Sequence, residues 1–181
     1  EVYMDIYIVR HGQTDSNLSK VFNTLTEDIN ENGIRQAEEL RDKIKDINFD
    51  VIYCSPLKRA VHTKDIINVN NIETIYDERL EERNPGSLAG KPWDTVEREK
   101  YWNYYINEVY FDEESIEHLC SRIDSFLNDL KEKNYNKVLI VAHSGVSKAF
   151  YKYFNGVPED GALLKLGLKN GDIKEYKLYK E

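Results

Sequence analysis

The stretch "YIVRHGQTDSN", residues 7–17, closes an apolar run by setting an arginine, a histidine and a glycine side by side. The run begins near Val2 and is rich in β-branched and aromatic residues, the composition of a strand. Residues 50–54 ("DVIYC"), 72–76 ("IETIY") and 137–143 ("KVLIVAH") repeat that composition. Helical periods lie between them. Ile34, Ala37, Leu40, Ile44 and Ile47 mark one face, with Asn30 ahead as a side-chain cap. A second helix follows "SPLKRA" and turns Leu57, Ala60, Val61 and Ile67 inward. A third carries Ile116, Leu119, Cys120, Ile123, Phe126, Leu127 and Leu130 on one stripe behind Glu113, Glu114 and Ser115. A fourth covers residues 146–154 and stops near Asn155-Gly156, ahead of Pro158.

Strands alternating with helices predict an α/β fold: a three-layer α/β/α sandwich around a mainly parallel sheet. Residues 163–168 and 173–178 then alternate around Asn170-Gly171, a strong turn signal, which predicts a C-terminal hairpin and at least one antiparallel edge strand. Residues 1–181 read as a single domain, without repeats or linkers. Residues 91–113 break the rhythm: Trp93, Tyr101, Trp102, Tyr104, Tyr105, Tyr110 and Phe111 crowd a charged stretch. The expectation is a helical, aromatic-rich insertion that either caps the core or covers a substrate.

Composition narrows the function classes. A chain of 181 residues buries about 70% of the surface its unfolded form exposes, enough for one core. A net charge of −8 with interspersed signs argues against a nucleic-acid or membrane-surface partner. No apolar run approaches a membrane span, and no basic-then-apolar leader opens the chain, so a cytoplasmic location is expected. Cys54 and Cys120 lack metal or redox spacing and read as packed thiols. Neither G-x-G-x-x-G, a P-loop, nor a zinc-type histidine spacing occurs, so no cofactor and no metal are expected.

In such sheets ligands bind at the carboxyl ends of the strands. The polar residues there are Arg10-His11, Ser55 with Arg59, the segment from Asp77 to Arg83, and His143-Ser144. Two histidines and two arginines so placed make a cation-rich pocket on an acidic protein, suited to a phosphate dianion. A nearby carboxylate would then serve as a proton donor.

These blocks resemble the histidine phosphatase superfamily, also called the phosphoglycerate mutase-like family. "RHGQTDSN" is similar to its signature, "INENGIRQA" to its L-T/N-x-x-G-x-x-Q-A, and "SPLKRAVHT" to its S-x-L-x-R-A-x-x-T. "LEERNPGSLAG" resembles L-x-E-x-x-x-G-x-x-x-G, "EES" with Arg122 resembles G-E-S and its following arginine, and "VLIVAHSGV" resembles V-L-x-V-x-H-G-G-V. The resemblance implies that His11 attacks phosphorus, that Arg10, Arg59 and His143 surround the phosphoryl oxygens, and that Asn17 adds an amide donor. Glu82 matches the acid position, with Glu81 its neighbouring competitor.

Several positions depart from the family pattern. Ser144 stands where glycine is usual, Pro85 replaces an aromatic, and Asn23-Thr24 replace a polar-glycine pair that can contact substrate. Arg83 resembles the mutase-type N-E-R. His62 and His118 match no site position. The expected activity is metal-independent hydrolysis of a small-molecule phosphomonoester through phosphohistidine. The alternatives are mutase-type phosphoryl transfer and a non-catalytic phosphate-binding protein. A homodimer is left open.

Overall fold

A computed structural model describes residues 2–180. Its centre is a five-stranded sheet of β1 (Tyr3–Arg10), β2 (Val51–Cys54), β3 (Thr74–Tyr76), β4 (Lys137–Ala142) and β5 (Ile173–Tyr179), in the order β3-β2-β4-β1-β5. All neighbours run parallel except β5, which lies antiparallel on β1. Six helices accompany it: α1 (Asp15–Ser19), α2 (Glu31–Ile44), α3 (Lys58–Ile67), α4 (Arg98–Tyr101), α5 (Ile116–Lys131) and α6 (Ser144–Asn155). No helix among the described residues is long and apolar enough to cross a membrane.

The period of two along the central strands produces the layers. Met4, Ile6 and Ile8 of β1, with Val138, Ile140 and Ala142 of β4, pack beneath α5 and α6. Val9 of β1, with Leu139 and Val141 of β4, faces α2 and α3. Each face thus buries one helix pair, which is the expected three-layer sandwich. Asn30 caps α2 by accepting from the Gly33 N–H, and Ser115 caps α5 by accepting from the His118 N–H. Both cysteines are buried and free.

Two expectations need correction. Only the second arm of the C-terminal hairpin is a strand. Asn170-Gly171 does form a tight turn, with Gly171 at φ +76°, but the preceding Leu164–Leu166 is a 3-10 turn. Leu163 is buried in the core, the Leu168 N–H donates to Ser147 Oγ of α6, and the Leu168 carbonyl accepts from Arg10. Tertiary partners therefore take the backbone groups that a second ladder would need. The aromatic insertion is barely helical. It comprises one 3-10 turn at Trp93–Thr95, the single turn of α4 and irregular chain.

Candidate active site

Parallel pairing of β1 with β4 places Arg10 opposite Ala142, and the residues after each strand then meet. The His11 N–H donates to the Ala142 carbonyl, and the His11 and His143 rings stand 5.1 Å apart, edge to face. Gly12 is required directly after His11. A Cβ at that position would collide with the Gly33 carbonyl at the start of α2.

The hydrogen bonds of His11 fix its chemistry. Nδ1 lies 2.7 Å from the Gly12 carbonyl, which can only accept, so Nδ1 carries the proton and Nε2 keeps a lone pair. Burial, reinforced by Arg59 and Arg10, holds the imidazole well below its ordinary value near 6.5. It is therefore neutral at pH 7. His143 is lowered in the same way, first by burial and then by Arg59. Ser55 Oγ accepts from the Leu57 N–H and lies 2.7 Å from His143 Nε2. His143 Nδ1 is buried without a partner.

Two guanidinium groups flank the histidines. Arg10 gives one N–H to the Leu168 carbonyl at 3.0 Å, and Arg59 gives one to the Thr24 carbonyl at 2.9 Å. Each keeps a buried Nε without a partner. Burial pulls Arg10 down to about 10 and also lowers Arg59, yet both stay charged at neutral pH. Asn17 accepts on Oδ1 from the Thr14 N–H and from Asn170 Nδ2, so its own NH₂ group remains as a donor.

Glu82 arrives from the loop after β3. Its Oε2 accepts from the Gly145 N–H at 3.0 Å and its Oε1 from the Arg83 N–H at 2.7 Å. Arg122 of α5 steadies this loop by donating to the Glu82 and Arg79 carbonyls, and is itself gripped by both oxygens of Glu114. That fork-to-carboxylate pair is the local purpose of the "EES" helix start.

Arg10, Asn17, Asn23, Arg59, Glu82, Arg83 and Ser144, among others, line a cavity of about 140 Å³, whereas His11 and His143 are buried and are not among its lining residues. Glu81 turns instead to a neighbouring surface groove that Glu82 also borders. Thr24 is exposed and serves through its carbonyl alone. Ser144 begins α6 in helical geometry, its Oγ accepting from Lys148. The glycine that the site demands is the next residue, Gly145. His62 pairs with Asp28 and His118 with Glu114, away from the cavity.

Sequence reasoning missed Lys148, which lines the cavity over the Trp102 ring at 4.0 Å, and Arg98, which lies over Trp93 at 4.4 Å. Lys148 falls among the buried residues of α6. A lysine inside an apolar helical stripe was the available signal. The aromatic insertion both caps and lines: Tyr101 and Trp102 are buried and wall the cavity, whereas Tyr105 and Phe111 are exposed.

Residues 6–181 match the histidine phosphatase superfamily, branch 1. The chain belongs to that superfamily. Among its relatives, a 2,3-bisphosphoglycerate-dependent phosphoglycerate mutase of Cytophaga hutchinsonii is 34% identical, over 89% of this chain and 82% of the relative. Phosphoserine phosphatase 1 of Hydrogenobacter thermophilus is 30% identical, over 84% of this chain and 76% of its own. The fold matches the alpha-ribazole phosphatase of Shigella flexneri with a TM-score of 0.82 at 23% identity, over 95% of this chain and 89% of that one. A phosphatase function is what membership of this histidine phosphatase family supports, and mutases occur in it too.

Proposed function

We propose that this histidine phosphatase is a metal-independent phosphomonoesterase that hydrolyses small cytoplasmic metabolites through a phosphohistidine on His11. The observation that carries the reading is the Nδ1 contact of His11 with the Gly12 carbonyl, which leaves Nε2 neutral and unprotonated beside two buried guanidinium groups.

Nε2 attacks phosphorus as the ester P–O bond breaks. Arg10, Arg59 and His143, in the tautomer protonated at Nδ1, take the phosphoryl oxygens, and the Asn17 amide adds a donor. Phosphoryl transfer needs mainly positioning and charge stabilisation, which these groups supply without a metal ion. Glu82 passes a proton to the leaving oxygen. As a carboxylate it then takes a proton from the water that attacks phosphohistidine. The P–N bond breaks, phosphate leaves, and both His11 and Glu82 are restored.

The test is turnover of p-nitrophenyl phosphate in EDTA, with a denaturing alkaline quench to trap an acid-labile phosphoryl label on His11. Chelation should leave the rate unchanged, and His11→Ala should abolish it. Loss of turnover on chelation, or activity surviving in His11→Ala, would refute the mechanism. Phosphate binding without any turnover would identify a non-catalytic phosphate-binding protein.

A second reading, mutase-type transfer, is favoured by Arg83, whose guanidinium adds a further cation to the cavity. Incubation with 3-phosphoglycerate separates the two. Free phosphate marks hydrolysis, whereas 2-phosphoglycerate marks transfer.

A further inference from the structure

The turn that carries Asn170 grips the end of β1 from either side of that residue. Before it, the Leu168 carbonyl accepts from the Arg10 guanidinium at 3.0 Å, while the Leu168 N–H is anchored on Ser147 Oγ. After it, the Gly171 N–H donates to the Arg10 carbonyl, and the Asp172 carbonyl accepts the Arg10 N–H, each at 3.1 Å. Backbone bonds alone therefore dock the turn.

Nothing in the turn itself asks for an asparagine at position 170. Gly171 takes the left-handed conformation, at φ +76°, whereas the non-glycine residues with positive φ are Lys20, Asn71 and Asn107. The Asn170 side chain is used elsewhere. Its Nδ2 donates to the His11 carbonyl at 3.2 Å and to Asn17 Oδ1 at 3.1 Å. Both acceptors are unambiguous: a backbone carbonyl can only accept, and Asn17 Oδ1 also receives the Thr14 backbone N–H, which can only donate, at 3.0 Å.

These bonds decide which way Asn17 faces. With Oδ1 occupied twice, the NH₂ group is the end of the amide left for a ligand, and Asn17 lines the cavity. Turning the amide over would set its NH₂ group against two other donors and present an oxygen to a phosphate. Asn170 does not line the cavity, so its influence on a ligand passes through Asn17 and His11.

We propose that Asn170 is a positioning residue of the active site: it locks the Asn17 amide with its NH₂ group available to the phosphoryl oxygens, and it ties the His11 backbone to the turn before β5. The inference rests on the phosphomonoesterase reading, because that reading gives the Asn17 donor to the transferred phosphoryl group.

Asn170→Ala and Asn17→Ala, alone and together, test the linkage with p-nitrophenyl phosphate. Each single change should lower kcat/KM by about tenfold, the scale of one charge-assisted hydrogen bond. Once the Asn17 amide is gone, removing Asn170 should cost less than about threefold, because little is left for it to orient. Asn170→Asp keeps the size of the side chain and a favourable turn with Gly171, and retains the test if the alanine variant does not fold. Its carboxylate meets the His11 carbonyl and Asn17 Oδ1 without a proton to give, so it should lose at least as much. An unchanged kcat/KM in these variants overturns the proposal. So does an equal loss with and without the Asn17 amide, which is what a merely structural turn would produce. If no ester turns over in the unaltered chain, the phosphomonoesterase reading fails by itself. The rise in Tm on adding inorganic phosphate then judges Asn170: a rise that shrinks in Asn170→Ala, yet is the same with or without Asn170 once Asn17 is replaced, sustains the role, and a rise indifferent to Asn170 overturns it.

Discussion

Gly145 and Glu82 are fitted to one another. The Gly145 N–H holds Glu82 Oε2 at 3.0 Å, and a methyl group on Gly145 would strike Glu82 Oε1 and approach Trp102 Cη2 to 2.9 Å. The helix that follows the second histidine thus sets the position of the carboxylate. Gly145→Ala is expected to displace Glu82 and lower kcat for alkyl phosphates by about a hundredfold, the usual cost of an ångström-scale misplacement. Aryl phosphates, whose leaving groups need no proton, should lose less than a tenth as much. Parallel assays with glycerol 3-phosphate and p-nitrophenyl phosphate decide the point.

Glu82→Gln removes the transferable proton but keeps the size of the side chain. Alkyl esters should slow by about 10²- to 10⁴-fold, and p-nitrophenyl phosphate should change far less. Equal losses on the two esters would assign Glu82 to binding or positioning.

The Glu114–Arg122 pair supports the Glu82 loop from behind, with Arg122 reaching the Glu82 carbonyl. Glu114→Ala leaves the guanidinium half-enclosed without its partner. A loss of roughly 3 kcal/mol of stability is expected, read as a lower urea midpoint at unchanged slope. A shift of a few tenths would mean that solvent readily replaces Glu114.

The pH dependence follows from the depressed groups. His11 and His143 are held below their ordinary value, so on acidification the unfolded chain takes up protons first. Their contribution is therefore complete above about 6.5 and is lost progressively as pH falls from there to the depressed folded values. Lys148 is also lowered, from 10.5 to about 7, so the unfolded chain again holds more protons between those limits and stability rises across them. The Tm of the ligand-free protein relative to Lys148→Met should climb from pH 7 to pH 9. A flat difference would mean that Lys148 titrates normally despite Glu82, Arg10, Arg98 and Arg83 around it.

The parts of this fold that show in the sequence are those governed by local rules. The alternating apolar positions of β1 and β4 specify two buried faces, and Asn30 and Ser115 announce their helices because capping involves only neighbours in the chain. Arg10, His11, Arg59 and His143 are legible because each follows an apolar run at the carboxyl end of the sheet. The failures have tertiary causes. The segment before Asn170 alternates like a strand, but Ser147 and Arg10, distant in sequence, claim the Leu168 backbone. Lys148 resembles a stray charge in an apolar stripe until the insertion folds over and Trp102 closes the cavity around it.

The sheet register has a kinetic consequence. Asp5 lies between Lys137 and Lys177, so the first strand finds its two neighbours only among the last strands of the chain. The turn before β5 reaches the site directly, with the Gly171 N–H on the Arg10 carbonyl and Asn170 Nδ2 on the His11 carbonyl. Such distant closures come late and slowly in folding. A refolding chain should accordingly regain helical signal well before it regains activity, because the strand that carries the nucleophile stays without partners until nearly all of the chain has been placed.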